Sequence, residues 1–169
     1  MPIDSVDFLK KHQDGCLVFV ETGSRQGNTI AKALTIFDEV HSVELLLEYH
    51  TKCLERFNES ENVHLYCGDS AEIFPRMMDG INDRCLLWLD AHNADRKACP
   101  LLDELRYLRR HPHRHVILID DTQYFGNFLP TVEEIMQAIK SIDKRYKFDV
   151  DTASSQYKNG VMIAKVEDG

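Results

Sequence analysis

Five short apolar runs, each followed by an amphipathic stretch, constrain this chain more than any other feature. The runs are CLVFVE (16–21), VHSVEL (40–45), VHLYCG (63–68), CLLWLDA (85–91) and HVILIDD (115–121). They are rich in Val, Ile, Leu and aromatic residues and do not alternate cleanly between polar and apolar positions. That is how strands covered on both faces read. The stretches between them carry helical spacing. Ile30, Ala33, Leu34 and Phe37 repeat at i, i+3, i+4 and i+7. Leu46, Tyr49, Cys53 and Phe57 make a second stripe, read as core. Ser70 is expected to cap a short helix carrying Ile73, Phe74 and Met77, with Pro75 limiting its regularity. Pro100 suits a first helical position ahead of Leu101, Leu105 and Leu108. Thr131 and Glu134 have the spacing of a capping box before Ile135, Met136 and Ile139.

Two more candidate strands follow, YKFDVDT (146–152) and GVMIAKV (160–166). Strands alternating with helices imply right-handed crossovers and a doubly wound α/β sheet with helices on both faces. Seven strands are expected, mostly parallel, with a closing hairpin that turns the last strand antiparallel. No repeat, linker or low-complexity segment divides the chain, so residues 1–169 read as a single domain. Ligands in such sheets bind beyond the carboxyl ends of the strands. The polar residues that end each strand are therefore the candidates.

The first strand runs into Glu21, Gly23, Ser24, Gly27, Asn28 and Thr29. The spacing is GxxxG, not the GxGxxG of dinucleotide sites, so a nicotinamide cofactor is disfavoured. Glycines permit a tight turn and close backbone approach, and the turn alone explains them equally well. The second strand ends on Glu44, about 20 residues past the turn, where an acid commonly bonds ribose hydroxyls; a surface carboxylate is the plainer reading. The third ends on Asp69 and Ser70, whose commoner use is a helix cap. The fourth ends on Asp90 and His92, and the fifth on Asp120 and Asp121. Carboxylates gathered at neighbouring strand ends destabilise one another unless a cation neutralises them, and an all-oxygen set favours a hard ion such as Mg²⁺. Alternatively, Asp120 caps the sheet and Asp121 faces solvent.

Composition closes off other classes. The net charge is -8 and no long basic tract occurs, so no nucleic-acid partner is expected. The one basic cluster, Arg106 to His115, reads as a solvated helix end and loop. No apolar run is long enough to span a bilayer, so no membrane partner is expected. The opening MPIDSVDFLKKHQDG lacks the apolar core of a signal peptide. The five cysteines are scattered without a CxxC pair, which fits reduced thiols and a cytoplasmic location better than disulfides or zinc.

Taken in order, VETGSRQGNT, VHSVEL, YCGDSAEIF, LLWLDAH and VILIDDT resemble successive motifs of the class I S-adenosylmethionine-dependent methyltransferases. The match spans roughly residues 16 to 166. The aspartates resemble those of the metal-dependent O-methyltransferases of the catechol and macrocin types. The resemblance implies a Rossmann-like fold and S-adenosylmethionine as cofactor, with a divalent metal, Mg²⁺ by preference. It also implies methyl transfer to a hydroxyl of a small-molecule substrate. Glu21, Gly23 and Gly27 match the loop that holds the methionine part, with Ser24, Asn28 and Thr29 as neighbours. Glu44 matches the ribose-binding acid, and Asp69 and Ser70 match the pair that meets adenine. Asp90, Asp120 and Asp121 match the metal ligands. Asp90 also counts among the cofactor-binding and catalytic residues. His92 stands where related enzymes can place the base, or it is a ligand or a loop residue. A histidine base implies activity rising through about pH 6 to 8, and earlier beside a cation.

The resemblance departs in one respect. Only about 15 residues precede the first strand and the inserts are short, whereas relatives build substrate lids from such segments. A partner subunit, as in a homo-oligomer, is one way to complete the pocket. The alternative function is a regulatory or partner-dependent protein that binds the cofactor without catalysing.

Overall fold

The computed structural model describes residues 6–92, 99–127, 129–152 and 160–167. Seven strands form one sheet: β1 (Val18–Thr22), β2 (Glu39–Glu44), β3 (Val63–Cys67), β4 (Cys85–Leu89), β5 (Val116–Ile119), β6 (Lys147–Asp151) and β7 (Val161–Lys165). Their order is β3-β2-β1-β4-β5-β7-β6. β1 to β5 pair in parallel, and β7 is antiparallel to both β5 and β6. This is the Rossmann-like sheet with an antiparallel last strand that the alternating pattern implies. The order reverses between β1 and β4, which opens a crevice at their carboxyl ends.

Helices cover both faces. One face buries α4 (Ser70–Asp79), α5 (Leu101–Leu108) and α6 (Val132–Ile142) through Phe74, Met77, Leu105 and Ile139. The other buries α1 (Val6–His12), α2 (Asn28–Ala33) and α3 (Leu47–Arg56) through Phe8, Ile30, Ala33 and Cys53. β1, β4 and β5 are buried along their whole length, which explains their continuous apolar reading. Each fully buried leucine there, such as Leu87, contributes about 1.5–3 kcal/mol. The Thr131–Glu134 capping box forms in both directions, and such a cap contributes about 1 kcal/mol.

Four expectations are corrected. Asp69, not Ser70, caps α4: its Oδ1 accepts from the backbone N–H of Ala71 at 3.0 Å, and Ser70 is the first helical residue. α4 runs through Pro75 for ten residues. In the stripe of α3, Cys53 and Phe57 are core, but Leu46 is 52% exposed. In the basic cluster, Arg106, Arg109 and Arg110 are exposed, yet His111 and His115 are buried. They form a chain in which His115 Nδ1 accepts from the Cys85 N–H at 3.1 Å and His115 Nε2 meets His111 Nδ1 at 2.8 Å. α1 went unread because only Phe8 and Leu9 of its residues are buried. Phe8 meets Trp88 of β4 edge to face, with ring centroids 6.1 Å apart.

Candidate active site

The loop after β1 turns at Gly23, with φ 96°. A Cβ there would come within 2.8 Å of the Asp90 carbonyl oxygen. Only glycine lets this turn sit so close to the end of β4. At Gly27, φ is 72° and a Cβ would come within 2.6 Å of the Phe57 ring. The two glycines thus seat the loop against β4 on one side and α3 on the other.

Beneath the loop lies Glu21, 1% exposed. Ser42 Oγ donates to its Oε2 at 2.7 Å, and the Ser24 and Ser42 hydroxyls lie 2.6 Å apart. The Thr29 side chain also bonds it. Burial pushes the Glu21 carboxyl up to about 7, against the pull of the Ser42 and Thr29 bonds. Glu21 therefore fastens the loop from below.

A cavity of about 500 Å³ opens in the crevice. Residues at or just past the ends of all five parallel strands line it: Gly23, Glu44, Gly68, Asp90 and Asp121 among them. A smaller cavity of about 150 Å³ adjoins it and is lined by Gly23, Ser24, Arg25, Gln26, Asn28, Thr29 and Asp90. Glu44 accepts from the Arg25 N–H at 2.8 Å through Oε2 and from the Leu46 N–H at 2.9 Å through Oε1. Each oxygen keeps a second lone pair for a ligand. Ser70, also on the larger cavity, is 2% exposed, and its hydroxyl has no partner among the described residues.

At the other end of the larger cavity, His92 Nε2 is buried and also lacks a hydrogen-bond partner among the described residues. It stands 3.7 Å from Asp90 Oδ1 and 3.7 Å from Asp121 Oδ2. Burial lowers the imidazole to about 4, against the opposing charge of Asp121. With that value the imidazole is neutral at pH 7. Asp121 adopts a left-handed backbone, φ 59°, which an aspartate tolerates better than most residues. Its Oδ1 accepts from Gln123 Nε2 at 2.5 Å, leaving Oδ2 toward His92. Burial, then repulsion from Asp120 and Asp121, raises Asp90 well above the usual carboxylate range. Burial raises Asp120 as well.

Ligand atoms of Asp90, His92 and Asp121 lie within 4.8 Å of one another. Two carboxylates and a neutral imidazole fit a divalent cation, which would also relieve the crowded acids. Asp120, 8% exposed, stands outside this group. The nitrogen donor makes the set suitable for Mn²⁺ as well as Mg²⁺.

No protein-family model matches the sequence, and no curated protein matches it. Solved structures do. An O-methyltransferase from Bacillus cereus in complex with S-adenosylhomocysteine is 14% identical, with a TM-score of 0.65 over 96% of this chain and 78% of that one. An S-adenosylmethionine-bound amino pentose methyltransferase from Micromonospora echinaspora is 11% identical, with a TM-score of 0.66 over 96% of this chain and 88% of that one. A sugar N-methyltransferase from a Streptoalloteichus species is 13% identical, with a TM-score of 0.65 over 96% and 85%.

The chain has the fold of the S-adenosylmethionine-dependent methyltransferases. Within that methyltransferase fold, Gly23, Glu44, Ser70, Asp90, His92 and Asp121 meet on the larger cavity, and Ser24, Asn28 and Thr29 on the smaller. Glu21, Gly27, Asp69 and Asp120 line neither. Sequence reading missed Arg25, which lines both cavities, and Leu45, Leu46 and Tyr49, which line the larger. The run of three leucines just past a strand end was the available signal.

Proposed function

We propose that this chain binds S-adenosylmethionine across the two cavities and catalyses transfer of its methyl group to a hydroxyl oxygen of a small molecule. The observation that carries the reading is that Ser70 and His92, whose buried Oγ and Nε2 lack hydrogen-bond partners among the described residues, line one cavity together with Glu44. The cavity sits at the switch point of a methyltransferase fold, and its residues offer polar partners for a nucleoside and a neutral imidazole. Structural neighbours solved with S-adenosylmethionine or S-adenosylhomocysteine support the choice of cofactor.

When bound, S-adenosylmethionine supplies an electrophilic methyl carbon on a sulfonium that departs as a neutral thioether. The chain supplies the rest. Glu44 offers its free lone pairs to the ribose hydroxyls. The Ser70 hydroxyl meets the base, against the apolar wall of Leu45, Leu46 and Tyr49. The smaller cavity takes the amino-acid end, with Ser24, Asn28 and Thr29 at its wall and Glu21 holding the loop in place. His92 Nε2 would take the proton of the acceptor hydroxyl as general base. The charge of Asp121, 3.7 Å away, would stabilise the imidazolium that forms.

A second reading of the same corner is favoured by the close grouping of Asp90, His92 and Asp121. On it, the three residues would hold a divalent cation, which would lower the pKa of the acceptor hydroxyl. His92 is then a ligand. Release of S-adenosylhomocysteine, measured over a panel of catechol-like and sugar hydroxyl acceptors with and without Mg²⁺ or Mn²⁺, tests the proposal. Turnover that His92→Ala cuts while cofactor affinity holds supports the base. A parallel loss of metal affinity supports the ligand. Tight cofactor binding with no turnover on any acceptor supports the non-catalytic alternative instead.

A further inference from the structure

A second cluster of metal-ligating side chains lies at the end of β2 remote from the cavity. Glu39 opens β2 and His41 follows two residues later, so both project from one face of the strand. His64 on β3 stands directly opposite His41 in the parallel register. The two imidazole rings stack with centroids 4.5 Å apart and planes 25° from parallel. Both Nε2 atoms converge on a single oxygen, Glu39 Oε1, each at 2.9 Å. The ligand atoms of all three residues lie within 4.8 Å of one another. Glu44, on the cavity, is five residues further along the same strand, roughly 16 Å away at the rise of a β-strand.

We propose that Glu39, His41 and His64 form a binding site for a divalent transition-metal ion, zinc in the first instance, that clips the edge strand β3 to β2. Two imidazoles and one carboxylate are a common three-ligand set for zinc, which needs donors at about 2.0–2.2 Å and completes its shell with water. Each ring now points its Nε2 at the carboxylate. Binding requires a lone pair at that nitrogen, so the ring proton moves to Nδ1 and no net proton is lost. For His41 the displaced proton has an acceptor, because Tyr66 Oη lies 3.3 Å from Nδ1. Such an outer partner is what fixes the orientation and tautomer of a metal-bound histidine. The side chains of Glu39 and His64 are each 42% exposed, which gives an ion a route in, while that of His41 is 7% exposed and anchors the site. Among the described residues β3 pairs with β2 alone, so an ion shared between them secures an edge. The site is independent of the proposed methyl transfer.

Zinc titration by calorimetry on the chelator-stripped, full-length protein tests it, with Co²⁺ absorbance as a second readout. One zinc per chain is expected to bind at this site. His64→Gln and Glu39→Gln are each expected to weaken it by about 100-fold or more, beyond the 10–100-fold that outer-shell changes cost. His92→Gln is expected to leave it unchanged, which separates this site from the cavity. Both test positions are partly exposed, and retained thermal unfolding confirms that the variants fold. The proposal is overturned by any of three results: no zinc binding by the wild type, unchanged affinity in His64→Gln, or a cobalt spectrum carrying a thiolate charge-transfer band.

Discussion

The backbone N–H of Arg25 donates to Glu44 Oε2 at 2.8 Å, so the loop leaving β1 is fastened to the acid that ends β2. Glu44 Oε1 holds the N–H of Leu46 in the same way. One carboxylate therefore shapes two walls of the cavity and still has lone pairs to offer. Glu44→Ala should weaken S-adenosylhomocysteine binding by about 1–3 kcal/mol, the scale of hydrogen bonds to a charged group. Calorimetry on the folded variant measures this. Wild-type affinity there would remove Glu44 from the ribose assignment.

Ser70 offers a cleaner separation of binding from folding. Its hydroxyl is buried without a partner among the described residues, so its removal forfeits no described hydrogen bond and ends an unmet desolvation cost. Ser70→Ala should leave the melting temperature unchanged or higher while weakening the cofactor by about 0.5–1.5 kcal/mol. A lower melting temperature with unchanged affinity would mean that the hydroxyl serves the fold alone.

Glu21 gives a pH signature. Its folded-state carboxyl is raised from 4.5 to about 7, so between those values the folded chain binds more protons than the unfolded one. Stability then falls as pH rises from 4.5 to 7 and levels off above. The full effect is on the order of 3 kcal/mol. Denaturant melts of wild type and Glu21→Gln across this range should differ in slope, with the variant flatter. Parallel curves would show that Glu21 is already ionised in the folded chain.

Much of this was legible in the sequence because the strands advertise themselves. Runs such as CLLWLDA are apolar throughout because β4 is covered on both faces, and the acids stand out because each run stops on one. The turn at Gly23 was legible for the same reason. What could not be read was which acids meet. Asp120 and Asp121 are adjacent in sequence, yet the left-handed backbone of Asp121 brings its carboxylate, not that of Asp120, into the group with His92. The capping role also fell on Asp69 rather than Ser70, since either residue type suits that position and only the backbone decides. Leu46 and Tyr49 looked like core because helical spacing reports a face, not what covers it. The pairing of His41 with His64 is a matter of strand register and has no local signal.

That difference between Asp120 and Asp121 can be measured. Mg²⁺, which prefers oxygen donors and so avoids the imidazole-rich site on β2, should raise the melting temperature of the wild type. Asp121→Asn should abolish the rise, and Asp120→Asn should keep it. The reverse pattern would restore Asp120 as the ligand.

His92 predicts a flat profile where an ordinary histidine base would give a slope. Burial holds its pKa near 4, so it is neutral throughout the range from pH 6 to 8 and contributes no limb to kcat/KM there. His92→Ala should still cut turnover by about 10²–10⁴-fold if the imidazole takes the proton. A limb with a pKa near 6.5 that disappears in His92→Ala would show that the ring is far better solvated than its burial implies.

The most direct test of the proposed function is a calorimetric titration of the full-length protein with S-adenosylhomocysteine, run beside NAD and repeated on Glu44→Ala and Ser70→Ala. The expected result is one S-adenosylhomocysteine site per chain, no NAD binding, and affinity lowered in both variants while each still unfolds cooperatively. Absence of S-adenosylhomocysteine binding by the wild type, or binding that both variants leave untouched, would contradict the placement of the cofactor in this cavity.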